Sequence, residues 1–85
     1  MILKVGQNEY NVRRAEQVVN PENVQFYIYL TDDLNIEELY QEIGPTIGTG
    51  FFLDEEEFTG YTLDSIRKEF DMETPISLYL SKKLN

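Results

Sequence analysis

The chain has 85 residues, enough for one small domain, and its 16 acids against 7 bases give a net charge of −9. It has no Cys and no His, which excludes disulfides, thiolate nucleophiles, the usual zinc sites and imidazole acid–base catalysis. A surface this acidic repels duplex nucleic acid and anionic membranes. No apolar run approaches the ~20 residues that cross a bilayer, and the opening Met1-Ile2-Leu3-Lys4-Val5-Gly6 is too soon interrupted for a signal peptide, so an intracellular or particle-assembled protein is expected.

Residues 2–5 alternate as a short strand, and Gly6-Gln7-Asn8-Glu9 is a turn, because Gly and Asn tolerate positive φ. Residues 10–19 form a second strand. Its apolar positions, Val12, Ala15, then Val18 and Val19, slip from period 2 and predict a bulge or bend; a helix over 12–19 is the competing reading. Asn20-Pro21-Glu22-Asn23 is a turn, with Pro presetting φ. Residues 24–30 alternate cleanly: Val24, Phe26, Ile28 and Leu30 face one way, Gln25, Tyr27 and Tyr29 the other.

A helix over residues 35–43 follows. Asn35 is the N-cap, Glu38 completes an Asn form of the capping box, and Leu34 with Leu39 forms a hydrophobic staple. Ile36, Leu39, Tyr40 and Ile43 make one apolar face, Gly44 predicts a left-handed exit, and Pro45 forbids continuation. About nine residues do not form a stable helix alone, so this one must lie on a sheet.

Residues 46–53 read as strand, bent or weakened at Gly48 and Gly50. Asp54-Glu55-Glu56-Glu57 is a charged turn. Residues 58–70 read as one bulged strand, with a helix over 62–70 as the alternative given by Leu63, Ile66, Arg67 and Phe70. Residues 76–82 close the chain, with Ile76, Leu78 and Leu80 inward and Ser77, Tyr79 and Ser81 outward.

Residues 10–30 and 61–80 repeat one pattern around the helix. Tyr10, Val12, Ala15 and Val19 correspond to Tyr61, Leu63, Ile66 and Phe70, and Val24, Phe26 and Ile28 to Ile76, Leu78 and Leu80. The offset is 51 in the front of the unit and 52 in the closing strand. The predicted fold is a single small α+β domain. Two antiparallel three-stranded β-meanders flank one central short α-helix, as one strongly bent sheet or as two small packed sheets.

The segments Glu9-Tyr10-Asn11-Val12-Arg13-Arg14-Ala15-Glu16, Asp32-Asp33-Leu34-Asn35-Ile36-Glu37-Glu38-Leu39-Tyr40-Gln41-Glu42-Ile43 and Phe58-Thr59-Gly60-Tyr61-Thr62-Leu63-Asp64-Ser65-Ile66, in this order, resemble small uncharacterised proteins encoded in phages and prophages of Gram-positive bacteria beside virion structural genes. The resemblance implies a phage-associated origin, a virion or tail-assembly role, and a place in the host cytoplasm or the virion. It carries no catalytic residues across.

Three constellations bear on chemistry. Asp54, Glu55, Glu56 and Glu57 are the densest charge, but they lack the spacing of a calcium loop, so a solvated turn or an acidic rim to an interface is expected rather than a metal site. Gly44-Pro45-Thr46-Ile47-Gly48-Thr49-Gly50 lacks the Lys and Ser/Thr ending of a phosphate loop. Tyr27, Tyr29 and Tyr79 share the face opposite the apolar rows, which suits a protein-binding surface, since Tyr is enriched at interface hot spots; burial under the helix or the other meander is the alternative. Base stacking on such a face normally comes with more basic residues.

These residues predict no cofactor and no enzyme. The expected function is contact with protein partners (virion components or further copies of the chain) in an assembly or accessory structural role, with no direct nucleic-acid or membrane binding. The alternative is an acidic, DNA-mimicking inhibitor of a host nucleic-acid-binding protein.

Overall fold

The computed structural model describes residues 1–84. Seven antiparallel strands form one sheet: β1 Ile2–Val5, β2 Asn8–Val19, β3 Asn23–Leu30, β4 Phe51–Leu53, β5 Glu56–Phe58, β6 Thr62–Lys68 and β7 Ile76–Lys83, in the order β5-β4-β1-β2-β3-β7-β6. The helix α1 spans Ile36–Ile43, and a 3₁₀ turn follows at Ile47–Thr49.

The long β2 decides between the two arrangements that the strand pattern allowed. Its residues Asn8 to Asn11 pair with β1 and its residues Val12 to Val19 pair with β3, with a bulge between Val12 and Arg14. The extra residue bends the strand at that point and lets one sheet turn a corner. The turn is large. In a flat sheet β3 and β5, four places apart in the order, would lie about 19 Å from each other, yet the rings of Phe26 on β3 and Phe58 on β5 are 5.0 Å apart. The sheet is therefore rolled onto itself around an aromatic cluster of Phe26, Phe51, Phe58 and Tyr61.

The first meander, β1-β2-β3, is present as expected. The second is not. β4 pairs with β5 and also with β1, β6 pairs with β7, and β7 pairs with β3. β5 and β6 share no ladder and take opposite ends of the order. The chain breaks at Thr59-Gly60-Tyr61, with Gly60 at φ 82°, so residues 58–70 are not one strand. Phe58 and Tyr61 both turn into the aromatic cluster, and that shared burial moves the chain from one edge of the sheet to the other. Residues 62–68 are strand, not helix, and so is the whole of 12–19. Of residues 46–53, only Phe51–Leu53 is strand.

The repeat takes a definite geometry. β2-β3 and β6-β7 are hairpins, bulged after Val12 and after Leu63 respectively. β3 and β7 pair so that Tyr27 faces Tyr79, Phe26 faces Leu80 and Ile28 faces Leu78, which places a local twofold axis between the two tyrosines. The hairpins differ in register. Ala15 faces Ile28, whereas its counterpart Ile66 faces Leu78 rather than Leu80. A slip of two residues keeps every side chain on its own face, because side chains alternate with period 2.

Asn35 caps α1 by accepting the Glu38 N–H at 3.0 Å. Leu39 and Ile43 are buried in the core with Leu3, Ile28, Leu30, Leu78 and Leu80. Gly44 corrects one expectation: it is right-handed, at φ −53° and ψ −48°, with its N–H donating to the Tyr40 carbonyl. Glycine serves here by close approach, since a Cβ would lie 2.5 Å from the Tyr40 oxygen. The Tyr40 hydroxyl accepts the Ile66 N–H of β6 at 2.8 Å. The helix thus satisfies a donor on an edge strand that would otherwise be open to another chain.

Candidate protein-binding face

The outer face of β2, β3, β7 and β6 is assembled by strand alternation. Once the bulge has passed Arg13, Arg14 and Glu16 stand beside Tyr29 and Tyr27; across β7, Arg67 stands beside Ser77 and Ser65 beside Tyr79. Tyr27, Tyr29 and Tyr79 are brought together, each half-buried. They are not covered by α1, whose buried residues enter the opposite, apolar side of the sheet.

The rings are held in place. Tyr27 and Tyr79 meet edge to face, with centroids 5.0 Å apart at 87°, the arrangement their ring quadrupoles favour. The Arg14 guanidinium lies 4.2 Å over Tyr29 and that of Arg67 lies 4.4 Å over Tyr79, cation–π geometry in both cases. Tyr27 Oη donates to Gln25 Oε1 at 2.8 Å, and Arg14 pairs with Glu16 at 3.2 Å. Burial pushes the Tyr29 phenol above its ordinary pKa, reinforced by Tyr79 and opposed by Arg14, so it is a neutral hydrogen-bonding group at pH 7. Arg14 is neutralised by its pair with Glu16, whereas Arg67 forms no ion pair among the described residues.

Arg14, Arg67 and Glu69 were not visible as members of this face, whereas Ser77 was expected outward with Tyr79. The doubled basic pairs Arg13-Arg14 and Arg67-Lys68 were the available signal, but assigning them to a face requires knowing where each bulge falls. Ser77 Oγ donates to Glu69 Oε1 at 2.6 Å. Ser77 is fully buried, so its hydroxyl is closed off from solvent beneath this face.

The acidic residues lie elsewhere. Asp54 and Glu55 form the tight loop of the β4–β5 hairpin, while Glu56 and Glu57 belong to β5. Asp54 is left-handed at φ 54° and its Oδ1 accepts the Ile2 N–H at 2.9 Å. β4, β1 and β2 separate β5 from β3 in the sheet order. Where the roll brings β5 to β3, it is Phe58 that meets Phe26 on the inner side, whereas Tyr27 and Tyr29 alternate to the outer side; the acidic turn is thus not placed as a rim of the tyrosine face, and Asp54 instead fastens the N-terminal strand. Among the described residues, no three His, Cys, Asp or Glu side chains converge as a metal site, and no helix is long and apolar enough to cross a membrane.

Comparisons with protein-family models, curated protein sequences and solved structures found no match.

Proposed function

We propose that this chain is a non-enzymatic protein-binding domain of a phage or prophage, an accessory or structural part of particle assembly, and that the Tyr27–Tyr29–Tyr79 face is its contact surface. The phage setting rests on the resemblance of the segments around Tyr10, Asn35 and Tyr61. The binding role rests on one observation: three tyrosines, two of them under guanidinium groups, lie half-exposed and prearranged on the solvent side of a rigid sheet. Tyr and Arg are the residues that dominate interface hot spots, and prior ordering lowers the entropy lost on binding. The ring faces of Tyr29 and Tyr79 are already taken by arginines, which favours edge and hydroxyl contacts with a protein over stacking with bases.

The inhibitor reading draws on the −9 charge alone. The carboxylates are divided among β2, the β2–β3 turn, the loop before α1, α1 itself, the β4–β5 hairpin, β6 and the β6–β7 loop, an arrangement that offers no single phosphate-like row.

Affinity capture from an infected or lysogenic host is the test. Wild-type protein is expected to retain virion components that the Tyr27→Ala/Tyr79→Ala variant loses. Equal capture by both, or capture of no particle protein, defeats the proposal.

A further inference from the structure

We infer that the chain associates head to tail with copies of itself, through a knob on the β6–β7 loop and a socket between α1 and the start of β6. The knob is Phe70 and Met72, 108% and 95% exposed. Their loop is built rather than slack. Glu69 N–H donates to the Pro75 carbonyl at 2.8 Å, Asp71 Oδ1 accepts the Glu73 N–H at 2.9 Å, and Glu73 pairs with Arg13 at 2.8 Å. Two large apolar side chains are thus held in water by a loop ordered around them.

The socket is a hollow of about 270 Å³ lined by Tyr40, Ile47, Gly48, Tyr61 and Leu63, the volume of roughly nine waters and room for an aromatic ring. A molecule cannot fill its own socket. Leu63 lies near the start of β6 and Phe70 two residues beyond its end, about 20 Å apart at the rise of a strand. One charge pair matches between copies: Asp71 stands between Phe70 and Met72 in the knob, and the Lys82 ammonium lies 5.6 Å from the ring of Tyr61, which lines the socket. Among the described residues Lys82 forms no ion pair. Knob and socket are different surfaces, so each copy uses one of each and association runs past the dimer into a ring or an open filament. The tyrosine face takes no part.

Sedimentation equilibrium at pH 7 tests this. The mass of the wild type is expected to climb from 10.0 kDa with concentration and pass that of a dimer. Phe70→Ser/Met72→Ser removes the knob. Gly48→Leu fills the socket without backbone strain, since its φ is ordinary and a Cβ there meets only the Tyr61 oxygen at 3.6 Å. Each variant alone is expected to stay monomeric, while their equimolar mixture, which restores one knob and one socket, forms a species that stops at two chains. Lys82→Glu, which leaves the lining intact, is expected to weaken association by about tenfold. The inference is overturned if the wild type remains monomeric at about 1 mM, if the mixture is no heavier than its parts, or if association is lost in Tyr27→Ala but kept in the knob variant.

Discussion

Tyr27 and Tyr79 face each other across β3 and β7, and each holds the other's place in the repeat, 52 residues along the chain. The pair sits on the local twofold axis and couples the two hairpins through the edge of one ring against the face of the other. Such pairs contribute about 0.5–1.5 kcal/mol beyond the area they bury. A double-mutant cycle of Tyr27→Ala and Tyr79→Ala in urea is expected to return a coupling in that range. Additive costs would show the rings to be mere neighbours.

Ile28 and Leu78 stand opposite each other on the inner side of the same strands, both fully buried. Ile28→Ala is expected to cost about 2–5 kcal/mol, a large part of the roughly 5–10 kcal/mol available to so small a domain. The urea midpoint should fall accordingly. A loss under 1 kcal/mol would mean that the rolled core collapses to fill the gap.

Gly48 and Gly50 look alike in the chain and should respond oppositely. Gly50 has φ 141° and ψ 152°, a region closed to other residues, and a Cβ there would meet Thr59 at 3.4 Å. Gly50→Ala is expected to cost about 1–3 kcal/mol. Gly48→Ala, in ordinary backbone with only a 3.6 Å contact, is expected to be neutral or to add about 0.4–1 kcal/mol by restricting the unfolded chain. Thermal midpoints moving the same way in both variants would contradict these conformations.

Tyr10 ties β2 to α1 by donating its hydroxyl to Glu42 Oε2 at 2.5 Å. Burial, then that hydrogen bond and the carboxylate's charge, push the phenol above the ordinary tyrosine range. The folded chain therefore keeps a proton that the unfolded chain gives up near pH 10, and stability should fall as pH rises above that value. Tyr10→Phe is expected to lower stability at pH 7 by about 1–3 kcal/mol, the worth of a hydrogen bond to a charged group, and to flatten the alkaline decline. Tyr29, whose phenol is also raised, leaves part of the decline in place. An unchanged alkaline slope in Tyr10→Phe would place its origin elsewhere.

The helix cap checks a purely local feature. Asn35→Ala is expected to cost about 1 kcal/mol, a drop of roughly 4–8 °C in Tm for a domain of this size. Asn35→Asp should retain most of the stability, since it keeps the accepting oxygen. Equal losses in both would mean that the cap is not what holds the first turn.

What could be read from residue order was local. The Asn35 cap, the apolar rows of β3 and β7, the tyrosines on the reverse face and the bulge in residues 10–19 all follow from contacts within a few residues, where side-chain period and backbone chemistry decide. What needed the tertiary structure was every choice between distant partners: β7 beside β3, β4 beside β1, and the chain crossing from β5 to β6 at Gly60. Those choices gather Phe51, Phe58 and Tyr61 around Phe26, and burial of this kind is additive and blind to separation along the chain, so no stretch of sequence announces it. The same holds for the proposed contact face. Its tyrosines are legible by alternation, but the arginines over them arrive from other strands, in registers that only the rolled sheet determines.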